Sequence, residues 1–353
     1  MLVTLVSGCT IGPGTINRDR FDYSAAVADS WKSQMLLNLV RMRYGDSGIF
    51  LEVGQIVSGY TVEGTVSVAA AWNLFGFSVS HPNVPNTVAT AGVAGRFIDR
   101  PTITYTPIMG ERFARSMMTP VPPASVLSLV QAGNPVDIAL RLMVNEINGV
   151  QNRYGGDMRA RAAEPEFYEL IERMRRVQLS GGIAMRLLPG DRKDAGVLLT
   201  FGSKLDPSAQ SDSHAIRKIL GLDPAAREFR VVYGALSTHD KEIAMLTRSA
   251  LEILIDLSSY ITVPEAHVAE HRVGATAAPE QGPGGPIRPL LRVASGRDKP
   301  ADVLVAIPYR DHWFWIDDRD IASKRMFSFI MFIFTLVEPA SKDNPPVLTI
   351  PTG

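Results

Sequence analysis

The stretch of this chain best suited to chemistry is His267-Val268-Ala269-Glu270-His271. On a helix, two histidines at this spacing lie one turn apart on a common face and could share a metal ion, with the glutamate between them as general base. That arrangement would make a metal-dependent hydrolase of His267, Glu270 and His271. The flanks argue against it. Pro264 precedes the run and Gly274 opens a Gly/Pro-rich stretch, which predicts a short surface turn and not a buried helix. Acidic residues are few beyond His271 and fall in turns, so a third ligand is hard to supply. Asp317-Asp318-Arg319-Asp320 offers carboxylates to calcium or magnesium but lacks the ligand spacing of a calcium loop. Aspartates at a helix start meet unpaired N–H groups, and capping is the expected role there. No phosphate-binding loop, serine-hydrolase elbow or dinucleotide fingerprint is present. The expectation is a chain without metal or cofactor that is not an enzyme.

Gly45-Asp46-Ser47-Gly48 has the form of the nucleophile loop of trypsin-like proteases. In those enzymes the histidine precedes the serine, whereas the first histidine here, His81, follows Ser47. Gly45 serves as a helix stop instead.

A different chemistry is expected at Cys9. A single cysteine permits no internal disulfide and excludes multi-cysteine zinc or iron–sulfur sites. Val6-Ser7-Gly8-Cys9 resembles the lipobox of bacterial lipoproteins. The resemblance implies a lipid on the Cys9 thiol and cleavage that makes Cys9 the new N-terminus. With Thr10 and not aspartate following, it implies lipid anchoring at the periplasmic face of the outer membrane. Only eight residues precede Cys9 and none is Lys or Arg, so a truncated signal peptide is expected, with the true start upstream. The polar run from Thr10, with Gly12, Pro13 and Gly14, is expected to be a tether.

The totals narrow the partners. Of 353 residues, 46% are hydrophobic and 20% charged, as in a folded protein. Lys plus Arg equals Asp plus Glu at 36 each, a balance that gives no field for nucleic acid. Met326 to Val337 is apolar but far shorter than the roughly 20 residues of a spanning helix, and is expected to be a core helix.

The elements that must position these residues suggest an α+β fold. We divide the chain into signal and tether (1–21), an N-terminal helix (22–50), a long amphipathic β-hairpin (51–107) and a mixed helix and antiparallel-sheet body (108–353) with a flexible Gly/Pro-rich loop near 274–287. Ala28, Trp31, Met35, Leu39 and Met42 recur at helical spacing on the first helix. In the body, Asn134 and Pro135 are expected to open a helix that ends near Asn148-Gly149. The strongest amphipathic helix is expected to start from a Ser237/Asp240 cap and run to Ile261. Strands are expected on either side of Gly190, near Phe229, and in a hairpin about Asp311. Of the adjacent Trp313, Phe314 and Trp315, alternation turns one way to the core and the other to a partner surface.

The stretch from Val57 to Thr106 is the least ordinary. From Tyr60 to Leu74 the even positions are apolar or glycine, among them Tyr60, Val62, Val66, Val68, Trp72 and Leu74, while small and polar residues dominate between them. The return stretch sets Ala89, Ala91, Val93 and Phe97 against Thr90, Gly92 and Arg96. From Tyr60 to Trp72 is about 40 Å, or about 30 Å along a membrane normal if the strand tilts as in a barrel. Two strands cannot close a barrel in lipid, so a pore would need a ring of subunits giving one hairpin each. The same pattern serves a hairpin packed on the core, or an arm clasping a second subunit.

Several segments together, "DSWKSQMLLNLVRMRYGD", "RPTITYTP" and "PYRDHWFWIDDRDIASKRMFS", resemble a group of predicted exported lipoproteins of proteobacteria. That resemblance supplies no catalytic residues. The function expected is a structural or accessory role in an oligomeric cell-envelope assembly. The partners would be a membrane through the lipid anchor and either further copies of the chain or an envelope complex. The alternatives are an oligomeric outer-membrane pore and the metal-dependent hydrolase.

Overall fold

The computed structural model describes residues 16–57, 60–72, 87–99, 102–156, 160–187, 196–202 and 205–337. Cys9, the lipobox and Leu74 lie outside them. The chain divides into two compact units, a small one over Leu51–Ile108 and a body formed by the described residues up to Phe50 and from Met109 onward.

The small unit holds β1 (Leu51–Val57), β2 (Tyr60–Trp72), β3 (Thr87–Asp99) and β4 (Thr102–Pro107). β1 pairs with β4 and β2 with β3, both antiparallel, as two separate two-stranded sheets in place of one ribbon.

The body begins with α1 (Ile16–Arg43), so the polar run expected as a tether is helical from Ile16. The expected apolar face is only half used: Phe21 and Trp31 are exposed, and burial starts at Met35 and continues through Leu36, Leu39 and Val40. These residues pack α1 on α7 (Ala250–Ser258) and β14 (Val303–Tyr309). The helix stops where expected. Gly45 takes φ +73°, its N–H reaches Met42 O at 3.1 Å, and Asp46 N–H reaches Arg41 O at 2.9 Å. These two bonds form the motif that closes helices at a left-handed glycine.

After the small unit come α2 (Gly110–Phe113), which runs into a π-helical turn at Ala114–Met118, then α3 (Pro123–Gln131) and α4 (Val136–Met143). A mixed six-stranded sheet follows. Its strands are β5 (Val144–Ile147), β6 (Val150–Gln151), β7 (Ile183–Leu187), β8 (Val197–Phe201), β9 (Glu228–Tyr233) and β10 (Glu242–Thr247), in the order β6-β5-β10-β9-β8-β7. The expected sheet was antiparallel; the β9–β10 pair is parallel. α5 (Pro165–Leu179) buries Leu170, Ile171, Met174 and Val177 and packs beside α6 (Pro207–Ile219). α8 (Glu265–Ala269) and the short pair β11 (Gln281–Gly282) and β12 (Gly285–Pro286) lead to a three-stranded sheet. That sheet orders β13 (Ala294–Gly296), β15 (His312–Asp317) and β14, and α9 (Ile321–Val337) closes the body. α9 buries Met326, Phe327, Ile330 and Ile333, and no described helix is long and apolar enough to cross a membrane.

Two expected helices are shorter than the sequence suggested. α4 ends at Met143, and Val144–Ile147 is a strand that turns through Asn148 (φ +46°) and Gly149 (φ +84°) into β6. Asn134 does not cap α4; its amide donates to Leu129 O at 2.9 Å, while Gln178 Oε1 accepts from Val136 N–H at 3.0 Å. The long helix expected from Asp240 is instead β10 followed by α7, whose capping box is Ser249 and Glu252. β10 has β5 and β9 on its two edges and is buried almost throughout, so Ile243 to Leu246 form an apolar run without a helical period.

Candidate functional site

In the small unit, the register of β2 with β3 is unbroken from Tyr60↔Asp99 to Trp72↔Thr87. Val62 stands opposite Phe97, Val66 opposite Val93 and Val68 opposite Ala91. Directly opposed residues share a face of an antiparallel pair. The apolar alternations of the two strands, legible separately in the sequence, therefore fall on one face. The other face places Glu63 opposite Arg96 and Ser67 opposite Gly92.

In the body, the structure separates the residues of the HxxEH run. His267 is in the last turn of α8 and 5% exposed. The helix ends at Ala269, and His271 follows with φ +55°, so the two histidines do not share a helical face. Glu270 pairs with Arg272 at 2.6 Å. Among the described residues no group of three or more His, Cys, Asp or Glu side chains could hold a metal ion.

His267 belongs to another constellation. Its Nδ1 meets the Tyr44 hydroxyl at 2.7 Å, and its ring meets His312 edge-to-face with centroids 4.7 Å apart. Tyr44 also packs on Tyr309 and Phe314, with Arg310 above its ring at 5.0 Å. Tyr309 O–H and Arg310 both donate to Asp46, the latter at 3.0 Å. The turn that brings them in has Arg310 and Asp311 at φ +46° and +63°, a two-residue turn suited to a hairpin. Burial, followed by His312 and Arg272, lowers the His267 pKa and keeps the imidazole neutral. Burial also pushes the Tyr44 phenol up to about 12, so it remains a phenol. The cluster's carboxylate, Asp46, is bonded to Tyr309 and Arg310, and the group acts as a clasp between the end of α1, α8 and the β14–β15 turn.

Beside it the Gly45–Gly48 loop borders a cleft of about 840 Å³, walled by Met42, Phe50, Phe113, Met118 and Ile255. Its carboxylates are engaged within the body: Asp46 as above, and Glu252 with Ser249 in the capping box of α7. Next to Ser249 stands Arg248, the largest fully buried side chain among the described residues. It donates to Asn145 Oδ1 at 2.9 Å and Asp256 Oδ2 at 3.1 Å, and also to Arg153 O. Arg153 reaches the other Asp256 oxygen at 2.8 Å and Ser259 Oγ at 2.7 Å, while Gly155 N–H donates to Asp256 Oδ1 at 2.8 Å. A Cβ on Gly155 would come within 2.1 Å of Ser259 Oγ, so only glycine lets the backbone come this near. This network fastens the segment after β6 to α7.

Compared with protein families, curated proteins and solved structures, the chain matches none.

The sequence signals for this geometry were uneven. Asp320 does cap: its carboxylate accepts from Ser323 N–H at 3.1 Å and Ser323 O–H at 2.8 Å. Phe314 is buried and Trp313 and Trp315 are half-buried, as alternation required. Nothing local in the sequence marks Tyr44, Tyr309 and Arg310, which meet only through the fold.

Proposed function

We propose that this chain is a non-enzymatic, lipid-anchored protein of the cell envelope, held by Cys9 at the periplasmic face of the outer membrane, with a structural or accessory role in an oligomeric assembly. The observation that carries the reading is the β2–β3 pair: thirteen residues on each strand in continuous register, in a unit apart from the body, with the apolar positions of both strands on one face. An arm of this form offers a second subunit a long apolar strip, and the lipobox-like Val6-Ser7-Gly8-Cys9 supports the anchor. A non-enzymatic role is consistent with a cleft whose carboxylates are bonded within the body.

The same strip supports a second reading, a ring pore with one hairpin per subunit, since its length matches the apolar band of an outer membrane, about 25 Å tall. Deleting residues 58–100 tests both. The native mass of the detergent-solubilised complex is expected to fall on deletion. Leakage from liposomes given the intact protein selects the pore, and its absence selects the arm. Unchanged mass together with no leakage overturns both. For the anchor, Cys9→Ser is expected to move the protein from the membrane to the soluble fraction.

A further inference from the structure

A second cleft of the body, of about 680 Å³, lies between the start of α9 and the β13–β15 edge. Four arginines line it, Arg288, Arg292, Arg319 and Arg325, together with Trp315, Asp317 and Asp320. Two of the four are committed. Arg288 bonds Asp320, and Arg319 bonds Asp302 at 2.9 Å. Asp320 is also the cap of α9, so that helix end is satisfied from within. Arg292 and Arg325 are different: both are exposed, and among the described residues their guanidinium groups have no hydrogen-bond or ion-pair partner. Around this depression four arginines meet Asp317 and Asp320, with Asp302 pairing Arg319 from outside it, so the positive charge is in excess by one and two guanidinium groups are left without a carboxylate. A guanidinium fork matches the oxygen spacing of phosphate, and Arg292 and Arg325 line the same cleft as the half-buried Trp315.

We propose that this cleft binds a phosphate group, free in solution or as the headgroup of an anionic lipid, through Arg292 and Arg325 with Arg288 and Arg319 beside them. The site lies wholly in the body and does not depend on the anchor or on the hairpin.

The test uses the full chain carrying Cys9→Ser, so that no lipid contributes. Inorganic pyrophosphate is titrated by calorimetry, and flotation is measured with phosphatidylcholine vesicles with and without phosphatidylglycerol. Pyrophosphate binding without flotation identifies a soluble ligand; flotation only with phosphatidylglycerol identifies a headgroup. In either case Arg292→Ala/Arg325→Ala is expected to weaken binding by about tenfold or more. Arg292→Lys/Arg325→Lys, which keeps charge and loses the fork, is expected to fall between the two. Circular dichroism checks that the variants are folded, which their exposed positions favour. Binding of neither probe, or binding that the double alanine variant leaves unchanged, overturns the proposal.

Discussion

The Tyr44 hydroxyl and His267 Nδ1 meet at 2.7 Å inside the body, from positions 223 residues apart. Removing the hydroxyl leaves a ring nitrogen that is buried and unpaired, so Tyr44→Phe is expected to cost about 1–3 kcal/mol in a denaturant titration. The imidazole also ties stability to pH. Its folded-state pKa lies below the ordinary 6.5, lowered by burial and by the neighbouring His312, Arg272 and Arg310 against an opposing Glu270. As pH falls through about 6.5 the unfolded chain takes up the proton first. His267 therefore adds nothing to the pH dependence well above that value and destabilises the body progressively below it. Replacing it by Gln, which can still bond the Tyr44 hydroxyl, is expected to flatten the decline of the urea midpoint between about pH 7 and pH 5. An unchanged slope would assign that decline to other groups.

At the scale of elements, the Asp256 network decides whether the segment after β6 stays on α7. Asp256 is 2% exposed and receives Arg153, Arg248 and the Gly155 N–H. Asp256→Asn keeps the shape but leaves two buried guanidiniums without a counter-charge, a change expected to cost about 3–5 kcal/mol. Equilibrium unfolding measures this, and a loss below about 1 kcal/mol would show that water or the carbonyls already carry those charges. None of this was legible in the sequence, since Arg153, Arg248 and Asp256 meet only through packing. Local chemistry was more legible. The α5 face, the Gly45 stop, the Asp320 cap and the Arg310-Asp311 turn follow from spacing and turn residues. Where sequence reasoning went astray, two signals competed. Asn148-Gly149 is a strong two-residue hairpin signal, but the apolar run before it fits a helix as well, and the boundary between α4 and β5 at Met143 has no local mark. Glu242–Thr247 joined α7 for the same reason: a strand buried on both faces has no polar side to set its period.

At the scale of the molecule, the question is whether the body needs the unit inserted into it. The buried hydrophobic residues of the body run from Met35 to Phe50 and from Met117 to Ile333, and Leu51–Ile108 forms a compact unit of its own. The N-terminal part is held by its own bonds. Asn38 is 1% exposed and pairs with both backbone groups of Ile49, at 2.8 and 2.9 Å, which fixes the end of the chain before it leaves the body. Phe50 in turn meets the Phe113 ring at 6.0 Å, so the points of departure and return are near each other. Replacing Leu51–Ile108 by a Gly/Ser linker of about six residues should therefore close without strain. It also shortens the loop the unfolded chain must close, an entropic gain of about 0.6 kcal/mol for each halving of length. The excised body is expected to keep a single cooperative transition with a midpoint equal to or above that of the parent, and to retain the near-ultraviolet signal of Trp313 and Trp315. Loss of cooperativity would mean that the inserted unit completes the core. Retention would leave β2 and β3 free of any part in folding the body, and thirteen paired residues on each strand that stabilise no fold but their own are what an arm made for another subunit requires.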